Sequence, residues 1–181
     1  MSENKSKLTF SESTLATAKK IISHYPEGKH KSALIPLLHL AQAEFDGWLS
    51  PEAMDCVSEL LNIQPIEAYE VASFYSMFNL KPVGKCVIEV CRTSSCWLVG
   101  AEDVVRHIEK KLNIHAGETT KDGMFTLKTV ECLGSCGTAP VLQCGGDYYE
   151  NLTLQKVDSL LDKMKSEDKR RVYTKDEMIQ I

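Results

Sequence analysis

Apolar residues recur every three or four positions through the first 80 residues of the chain. This is the spacing of amphipathic helices, each of which turns one face toward a common core. Short polar or Pro-containing segments separate the periodic runs, so we expect neighbouring helices to pack together as a small bundle. The four predicted helices cover residues 11–25, 32–45, 50–61 and 65–78.

Several residues mark where these helices begin and end. Ser50 is a favourable N-cap, and Pro51 after it suits the first helical position. Pro36 fits within the second helix if it lies in the first turn, where backbone amides lack helical partners. Asn79 is predicted to end the fourth helix in a left-handed conformation, and Pro82 prevents its continuation.

The pattern changes after Gly84, where short strands alternate with helices. The order β-α-β-β-β-α predicts a small sheet covered by helices, of the thioredoxin-like type. Gly145-Gly146 indicates a tight hairpin between the last two strands. The chain is therefore predicted to be an α+β protein with three parts: a helical bundle in residues 1–82, a thioredoxin-like domain in residues 83–165, and a charged tail in residues 166–181. The predicted strands cover 85–91, 124–132, 140–144 and 147–152, and the helices cover 101–112 and 153–164.

Composition and charge exclude several classes of partner. Apolar residues make up 43% and charged residues 25% of the chain, which is typical of a globular protein. The net charge of −4 gives no general attraction to nucleic acid, so we expect no nucleic-acid partner. No run approaches the roughly 18 apolar residues of a membrane span, so we expect no direct membrane insertion. The first residues lack the features of a secretory signal or a mitochondrial presequence, which predicts a reducing cytosol.

Four of the seven cysteines lie just after two predicted strands: Cys91, Cys96, Cys132 and Cys136. An odd number of cysteines in a reducing compartment fits a disulfide framework poorly. Cys91 is predicted to end the first strand and Cys132 to end the second, with Cys96 and Cys136 in the loops that follow. Because neighbouring strand ends can bring their loops together, we expect the four thiols at one edge of the domain.

Three interpretations of these thiols remain open on spacing alone. A [2Fe–2S] cluster needs four thiolates spread over two irons, and gaps of four and three residues suit that arrangement. Structural zinc also accepts four thiolates, but its common pairs are separated by two residues. Thiol–disulfide chemistry usually uses Cys-x-x-Cys, which does not occur in this sequence. The spacing favours the cluster.

At this point the sequence resembles a known family, the 24 kDa [2Fe–2S] subunits of NADH:quinone oxidoreductase, respiratory complex I (the E subunits of the bacterial complexes). These subunits are thioredoxin-like ferredoxins, and the resemblance covers about residues 15–165. The second half carries it through EVCRTSSCWLVGAEDV, GETTKDGMFTLKTVECLGSCGTAPV and YYENLT, and the first half through YPEGKHKSALIPLLHLAQAEFDGWLSPEAMDCVSELL and YEVASFYSMFNLKPVGK.

The resemblance implies a helical bundle followed by a thioredoxin-like ferredoxin domain that binds one [2Fe–2S] cluster. The four ligand positions of the family fall on Cys91, Cys96, Cys132 and Cys136. Arg92 occupies a position that is often Thr in relatives. Because a cation favours the more negative reduced cluster, we expect Arg92→Ala to lower the midpoint potential by some tens of millivolts.

The resemblance also implies a function within a larger complex. A binuclear cluster carries single electrons and cannot accept a hydride. The sequence contains no Gly-x-Gly-x-x-Gly and no phosphate-binding loop, so a partner must bind the hydride donor. In the family this partner is an NADH-binding flavoprotein subunit with FMN. We therefore expect the chain to be an electron-transfer subunit of NADH dehydrogenase with no catalysis of its own. We expect it to lie, with the further subunits of the complex, at the cytoplasmic side of a bacterial inner membrane.

Two alternative functions remain. The same type of subunit occurs in soluble NAD-linked hydrogenases and formate dehydrogenases, which this sequence separates poorly from the first hypothesis. An alternative of another class is an interaction module that zinc stabilises and that has no redox role. A visible absorption spectrum distinguishes the cluster from zinc.

Overall fold

A computed structural model of the chain describes residues 8–172, which form two compact units divided between Pro82 and Val83. The first unit is helical, and leucines of its second helix, among them Leu37, Leu38 and Leu40, are fully buried in its core. A 3₁₀ turn at His30–Ala33 leads directly into that helix. The helices of this unit are α1 (Glu12–Ser23), α2 (Leu34–Glu44), α3 (Pro51–Leu61) and α4 (Pro65–Phe74).

The predicted signals for helix starts are confirmed in this unit. The Ser50 hydroxyl accepts a hydrogen bond from the Ala53 amide at 3.2 Å, and Pro51 is the first residue of α3. Pro36 lies in the first turn of α2 and is buried. The proline therefore costs the helix no hydrogen bond, because amides in the first turn have no helical acceptor.

The predicted end of α4 is wrong. The helix ends at Phe74 because Tyr75 adopts extended backbone angles, and a turn closed by the Phe78 amide and the Tyr75 carbonyl follows. Asn79 does not terminate a helix in a left-handed conformation. It is buried instead, and its backbone amide donates to the Gln42 side-chain carbonyl at 2.6 Å. A tertiary hydrogen bond thus decides the conformation of a residue that local propensity assigns to a helix end.

The second unit is a four-stranded mixed sheet with helices packed on it. β1 lies beside β2 in parallel and beside β3 in antiparallel orientation, giving the order β2-β1-β3-β4. The predicted hairpin at Gly145-Gly146 is confirmed, since β3 and β4 pair antiparallel across it. Together the two units confirm the α+β class. The elements are β1 (Cys86–Cys91), α5 (Ser94–Leu98), α6 (Ala101–Leu112), β2 (Phe125–Val130), β3 (Leu142–Cys144), β4 (Asp147–Tyr149) and α7 (Leu154–Glu167).

Three local predictions for this unit need correction. Cys96 lies on the short helix α5 and not in a loop, because Thr93 accepts the first helical hydrogen bond from Trp97 at 2.9 Å. Cys132 does not end a strand, since β2 stops at Val130 where its pairing with β1 also stops. Helix α7 continues to Glu167, three residues beyond its predicted end.

The segment predicted as a charged tail begins inside α7. Residues 168–172 then lie along the second unit, where the Arg171 amide donates to the Lys85 carbonyl at 2.8 Å. Residues 173–181 lie outside the described residues. Of the three cysteines outside the candidate site, Cys86 and Cys144 are buried, and Cys56 is only partly buried.

Candidate metal centre

Cys91 and Cys96 form the buried half of the candidate centre. Cys91 is the last residue of β1, and Cys96 lies on α5, which begins three residues later. Each side chain is 1% exposed, in a small apolar cluster with Ala101 and Val141. Burial and the neighbouring Cys91 thiol raise the pKa of Cys96 to about 11. A thiol held in this way keeps its proton until a cation takes its place.

Cys132 and Cys136 form the exposed half of the centre, on the loop that follows β2. Their sulfur atoms are 3.8 Å apart. The Gly134 amide donates to the Cys132 sulfur at 3.4 Å, and this bond, followed by that with Cys136, lowers the pKa of Cys132. Gly134 has a φ of 79°, a conformation in which a side chain is strained. The loop therefore needs glycine here to bring its amide to the sulfur.

The separation of this pair fits two ligands of one tetrahedral metal ion. With metal–sulfur bonds of about 2.3 Å, two sulfurs at a tetrahedral ion lie about 3.8 Å apart. The Cys132 and Cys136 sulfurs have this separation. The chemistry also fits, because thiolates are the ligands of both zinc and iron–sulfur clusters. Among residues 8–172, no three His, Cys, Asp or Glu side chains converge as they would around a single ion.

The two pairs lie close enough to influence each other. The charge of Cys91 acts on the pKa of Cys132, and the charge of Cys136 acts on the pKa of Cys96. The Thr93 hydroxyl links the pairs, since it lies 3.2 Å from the Cys91 sulfur and also hydrogen-bonds to Cys132. The fold thus places the two predicted cysteine pairs near each other, with Thr93 in contact with both.

Comparison with known proteins identifies the family to which the chain belongs. The family model described as thioredoxin-like [2Fe-2S] ferredoxin matches residues 18–165. The chain belongs to the thioredoxin-like [2Fe–2S] ferredoxin family. This confirms the family resemblance and the fold class that the sequence predicts.

Relatives of this ferredoxin carry the names of NADH-quinone oxidoreductase and NADH dehydrogenase proteins. The E subunit of NADH-quinone oxidoreductase from Rickettsia felis is 48% identical over 161 residues, which is 89% of this chain and 96% of the relative. A mitochondrial NADH dehydrogenase [ubiquinone] flavoprotein 2 of Dictyostelium discoideum is 45% identical over 87% of this chain and 64% of its own length. A crystal structure of an NAD+-reducing [NiFe]-hydrogenase shares the fold with a TM-score of 0.65. It has 23% identity, and the match covers 75% of this chain and 23% of that chain.

Glu150 holds the exposed loop of this ferredoxin domain, and the sequence offered no reason to single it out. Its carboxylate accepts hydrogen bonds from the hydroxyls of Ser135 and Thr138, the latter at 2.6 Å. These two residues flank Cys136 on the loop. The Asn151 amide also donates to the Thr138 carbonyl at 2.6 Å. The segment after β4 therefore holds the part of the chain that carries the candidate ligand Cys136.

Arg92 lies between the two buried cysteines in sequence, and its guanidinium pairs with Glu102. The two groups are 3.4 Å apart, and their side chains are 53% and 37% exposed. A carboxylate this close offsets much of the positive charge that Arg92 brings to the site. Solvent screens both groups further. Any electrostatic effect of Arg92 is therefore smaller than the sequence alone suggests.

Proposed function

We propose that this chain binds one [2Fe–2S] cluster through Cys91, Cys96, Cys132 and Cys136, and that it is the electron-transfer subunit of an NADH dehydrogenase module of NADH:quinone oxidoreductase. The two neighbouring cysteine pairs carry the proposal, with 3.8 Å between the sulfurs of the exposed pair. The relatives named as E subunits of NADH-quinone oxidoreductase support the assignment, because they align over nearly their whole length. When bound, a four-thiolate binuclear cluster supplies one-electron redox chemistry.

The two cysteine pairs differ in burial, and this difference predicts the side of the site on which electrons are exchanged. Cys91 and Cys96 are anchored in the apolar interior, and Cys132 and Cys136 are exposed at the surface. Gly134 and Thr93 donate hydrogen bonds toward sulfur, which stabilises negative charge on the thiolates. Electrons would therefore enter and leave on the side of the exposed pair.

An apolar surface beside the site supports docking of a partner protein. Trp97, Leu98 and Val99 directly follow Cys96 and are 60%, 75% and 54% exposed. Exposed aromatic and aliphatic side chains are typical of protein interfaces. The proposed occupant is the NADH-binding flavoprotein subunit with FMN, since electron exchange requires the two redox groups to be close.

No helix among residues 8–172 is long and apolar enough to span a bilayer. We place the complex, with its further subunits, at the cytoplasmic side of a bacterial inner membrane.

A second candidate is the equivalent subunit of a soluble NAD-linked hydrogenase or formate dehydrogenase. The structural match to an NAD+-reducing [NiFe]-hydrogenase shows that such an enzyme contains the same fold, and at 23% identity it supports the fold alone. The relatives from NADH-quinone oxidoreductase, at 48% identity, favour the first candidate. Zinc at the same thiolates is the third candidate, because the sulfur separation of the exposed pair suits either metal.

Purification of the affinity-tagged chain from its native host tests the proposal. We expect a red-brown complex that contains the flavoprotein and the membrane subunits of a quinone-reducing enzyme. The separated chain should hold about two irons and two sulfides and give a one-electron EPR signal when reduced. Hydrogenase or formate dehydrogenase subunits in the complex would establish the second candidate. A colourless chain with one zinc would contradict the cluster.

Thr93→Val is expected to lower the midpoint potential of the cluster by about 40 mV. The substitution keeps the shape of the side chain and removes the hydroxyl 3.2 Å from the Cys91 sulfur. A hydrogen bond to sulfur stabilises the more negative reduced state, and its loss costs about 1 kcal/mol, or about 40 mV for one electron. An EPR-monitored redox titration measures the shift. Thr93→Ser is the matched control and should retain the wild-type potential; an equal fall in both variants would contradict the role of the hydroxyl.

Arg92→Ala and Glu102→Gln are expected to shift the midpoint in opposite directions. Removing the exposed cation disfavours the reduced cluster by about 0.5 kcal/mol, which lowers the potential by about 20 mV. Removing the charge of its partner at 3.4 Å raises the potential by a similar amount. The double variant should lie near wild type in the same titration. Arg106→Ala, which breaks a comparable exposed pair with Asp103, is the control and should leave the potential unchanged.

A further inference from the structure

Two other cysteines of the second unit, Cys86 and Cys144, lie side by side in its core. Each is 0% exposed. In the antiparallel pairing of β1 with β3, Val90 is opposite Leu142, so two residues further along Ile88 is opposite Cys144. Cys86 follows on the same face and is the diagonal neighbour of Cys144. The two thiols are hydrogen-bonded to each other.

The surroundings of the pair make its two thiols unequal. The hydrogen bond from Cys144 lowers the pKa of Cys86, and this outweighs the effect of burial. Arg171 and Arg170 add positive charge that also favours the Cys86 thiolate, against the opposing charge of Glu167. The pKa of Cys144 is raised by the same hydrogen bond and by burial. Because the thiolate is the reactive form of cysteine, Cys86 is the nucleophile and Cys144 the proton-bearing neighbour.

A short segment after α7, residues 168–172, covers this pair, and we call it the C-terminal strap. The Cys86 thiol lies 3.8 Å from the Lys169 carbonyl oxygen. The strap is also held where the Arg170 guanidinium donates to the Gly84 carbonyl at 3.0 Å, next to the bond between the Arg171 amide and the Lys85 carbonyl. Its other bonds are made by side chains, from Arg171 to Asp147, Tyr149 and Glu167 and from Lys85 to Asp168. The strap belongs to no helix or strand, and such a segment opens more readily than the sheet beneath it. Opening of the strap would expose Cys86 to small reactants.

We infer that Cys86 and Cys144 form a second redox site, a dithiol that a hydroperoxide oxidises to a disulfide when the C-terminal strap opens. The pair lies at the other end of β1 from the ligand Cys91, five residue steps or about 16 Å away along the strand. It is therefore separate from the proposed cluster. Thiol pairs of reducing compartments that form transient disulfides act as redox sensors.

The reaction consumes one peroxide for each pair. The Cys86 thiolate attacks one peroxide oxygen, so that an S–O bond forms, the O–O bond breaks, and the other oxygen leaves as an alcohol or water. The Cys144 thiol then attacks the Cys86 sulfenic acid, forming the S–S bond and releasing water. Two thiols are oxidised and one peroxide is reduced. The disulfide has no S–H group to donate to Lys169, so the strap loses one of its bonds.

Oxidation of the full-length chain with its cluster tests this inference directly. The protein is treated with tert-butyl hydroperoxide, quenched in acid and alkylated. Digestion after Lys85 and Glu89 separates Cys86 from Cys91, and cleavage after Leu142 separates Cys144 from the proposed ligands. Mass spectrometry should find Cys86 linked to Cys144 while the visible absorption of the cluster is unchanged. Absence of this link at every peroxide concentration below that which bleaches the cluster would overturn the inference.

Two further measurements separate a sensor from a passive thiol pair. In Cys144→Ala the sulfenic acid of Cys86 has no resolving thiol, so dimedone should label Cys86 at least tenfold faster than Cys56, the reference cysteine in the first unit. Equal labelling of the two would overturn the order of reaction. In the wild-type protein, hydrogen exchange of the Arg171 amide should accelerate after oxidation, because the strap is released. Unchanged exchange in a chain that carries the disulfide would overturn the role of the strap.

Discussion

Replacing Cys136 with alanine is expected to abolish cluster binding and leave the fold of the second unit intact. Cys136 is exposed and begins a short 3₁₀ turn, Cys136–Thr138, so the substitution creates no cavity in the core. It removes one sulfur of the pair whose 3.8 Å separation suits a shared metal ion, and leaves Cys132 without its partner. An iron with three protein and sulfide ligands is open to solvent and is lost readily.

Iron and sulfide analysis, the visible spectrum and EPR measure this outcome together. We expect the contents to fall from about two of each per chain to at most a tenth of that, with an unchanged far-ultraviolet circular dichroism spectrum. Cys56→Ala is the matched control because Cys56 lies in the first unit, and it should keep the full cluster. A Cys136→Ala protein that retains two irons and the wild-type EPR signal would show that this thiol is not a ligand.

The buried candidate ligand Cys96 offers a useful contrast. It is 1% exposed and packs with Ala101 and Val141, so its replacement by alanine also removes core contacts. We therefore expect Cys96→Ala to lower both the cluster content and the thermal stability. Only the exposed pair separates ligation from packing, which is why Cys136 is the better test.

Gly84→Ala is expected to destabilise the second unit by about 2 kcal/mol. A Cβ atom at residue 84 would lie 2.8 Å from the backbone carbonyl carbon of Phe125 and 2.9 Å from that of Met124. These atoms belong to the start of β2 and the residue before it, so they cannot move without disturbing the pairing of β1 with β2. The Gly84 amide also donates to the buried Thr126 hydroxyl at 2.7 Å. This bond fixes the distance between residue 84 and β2.

Thermal unfolding followed by circular dichroism measures this effect. In a domain of this size about 2 kcal/mol lowers the melting temperature by about 8–16 °C. The pairing at risk starts where Cys86 is opposite Phe125, so the loss should come from the second unit. A melting temperature within about 2 °C of wild type would contradict the close contact. Such a small loss of stability would mean that β2 moves away from the added methyl group with little loss of free energy.

Much of the candidate site could be predicted from the sequence because cysteine spacing and strand ends are local features. The placement of Cys91 at the end of β1 agrees with the structure, and the two cysteine pairs lie near each other. The sequence does not indicate that the candidate ligand Cys132 lies beyond the end of β2, because the length of β2 depends on how far it pairs with β1. Helix α5 was missed since five residues are too few to show a helical period.

Other features depend on residues that are distant in sequence, and no local pattern indicates them. Glu150 holds the Cys136 loop through Ser135 and Thr138, which are 15 and 12 residues away. Glu102 pairs with Arg92 from a helix that follows it, and so changes the expected effect of that charge. The contact of Cys86 with Cys144 also arises only when β1 and β3 pair.

The sequence by itself determined the class of the protein, its two-part organisation of helices followed by a mixed α/β segment, and the four candidate ligands. These follow from periodicity and from residue types that are scarce and chemically distinctive. Only the tertiary structure decided which pair is buried, which hydroxyls and carboxylates act on the ligands, and that a second pair of thiols is in contact. Burial and contact depend on strand register and loop paths, which are set by the free energy of the whole fold and not by any single segment.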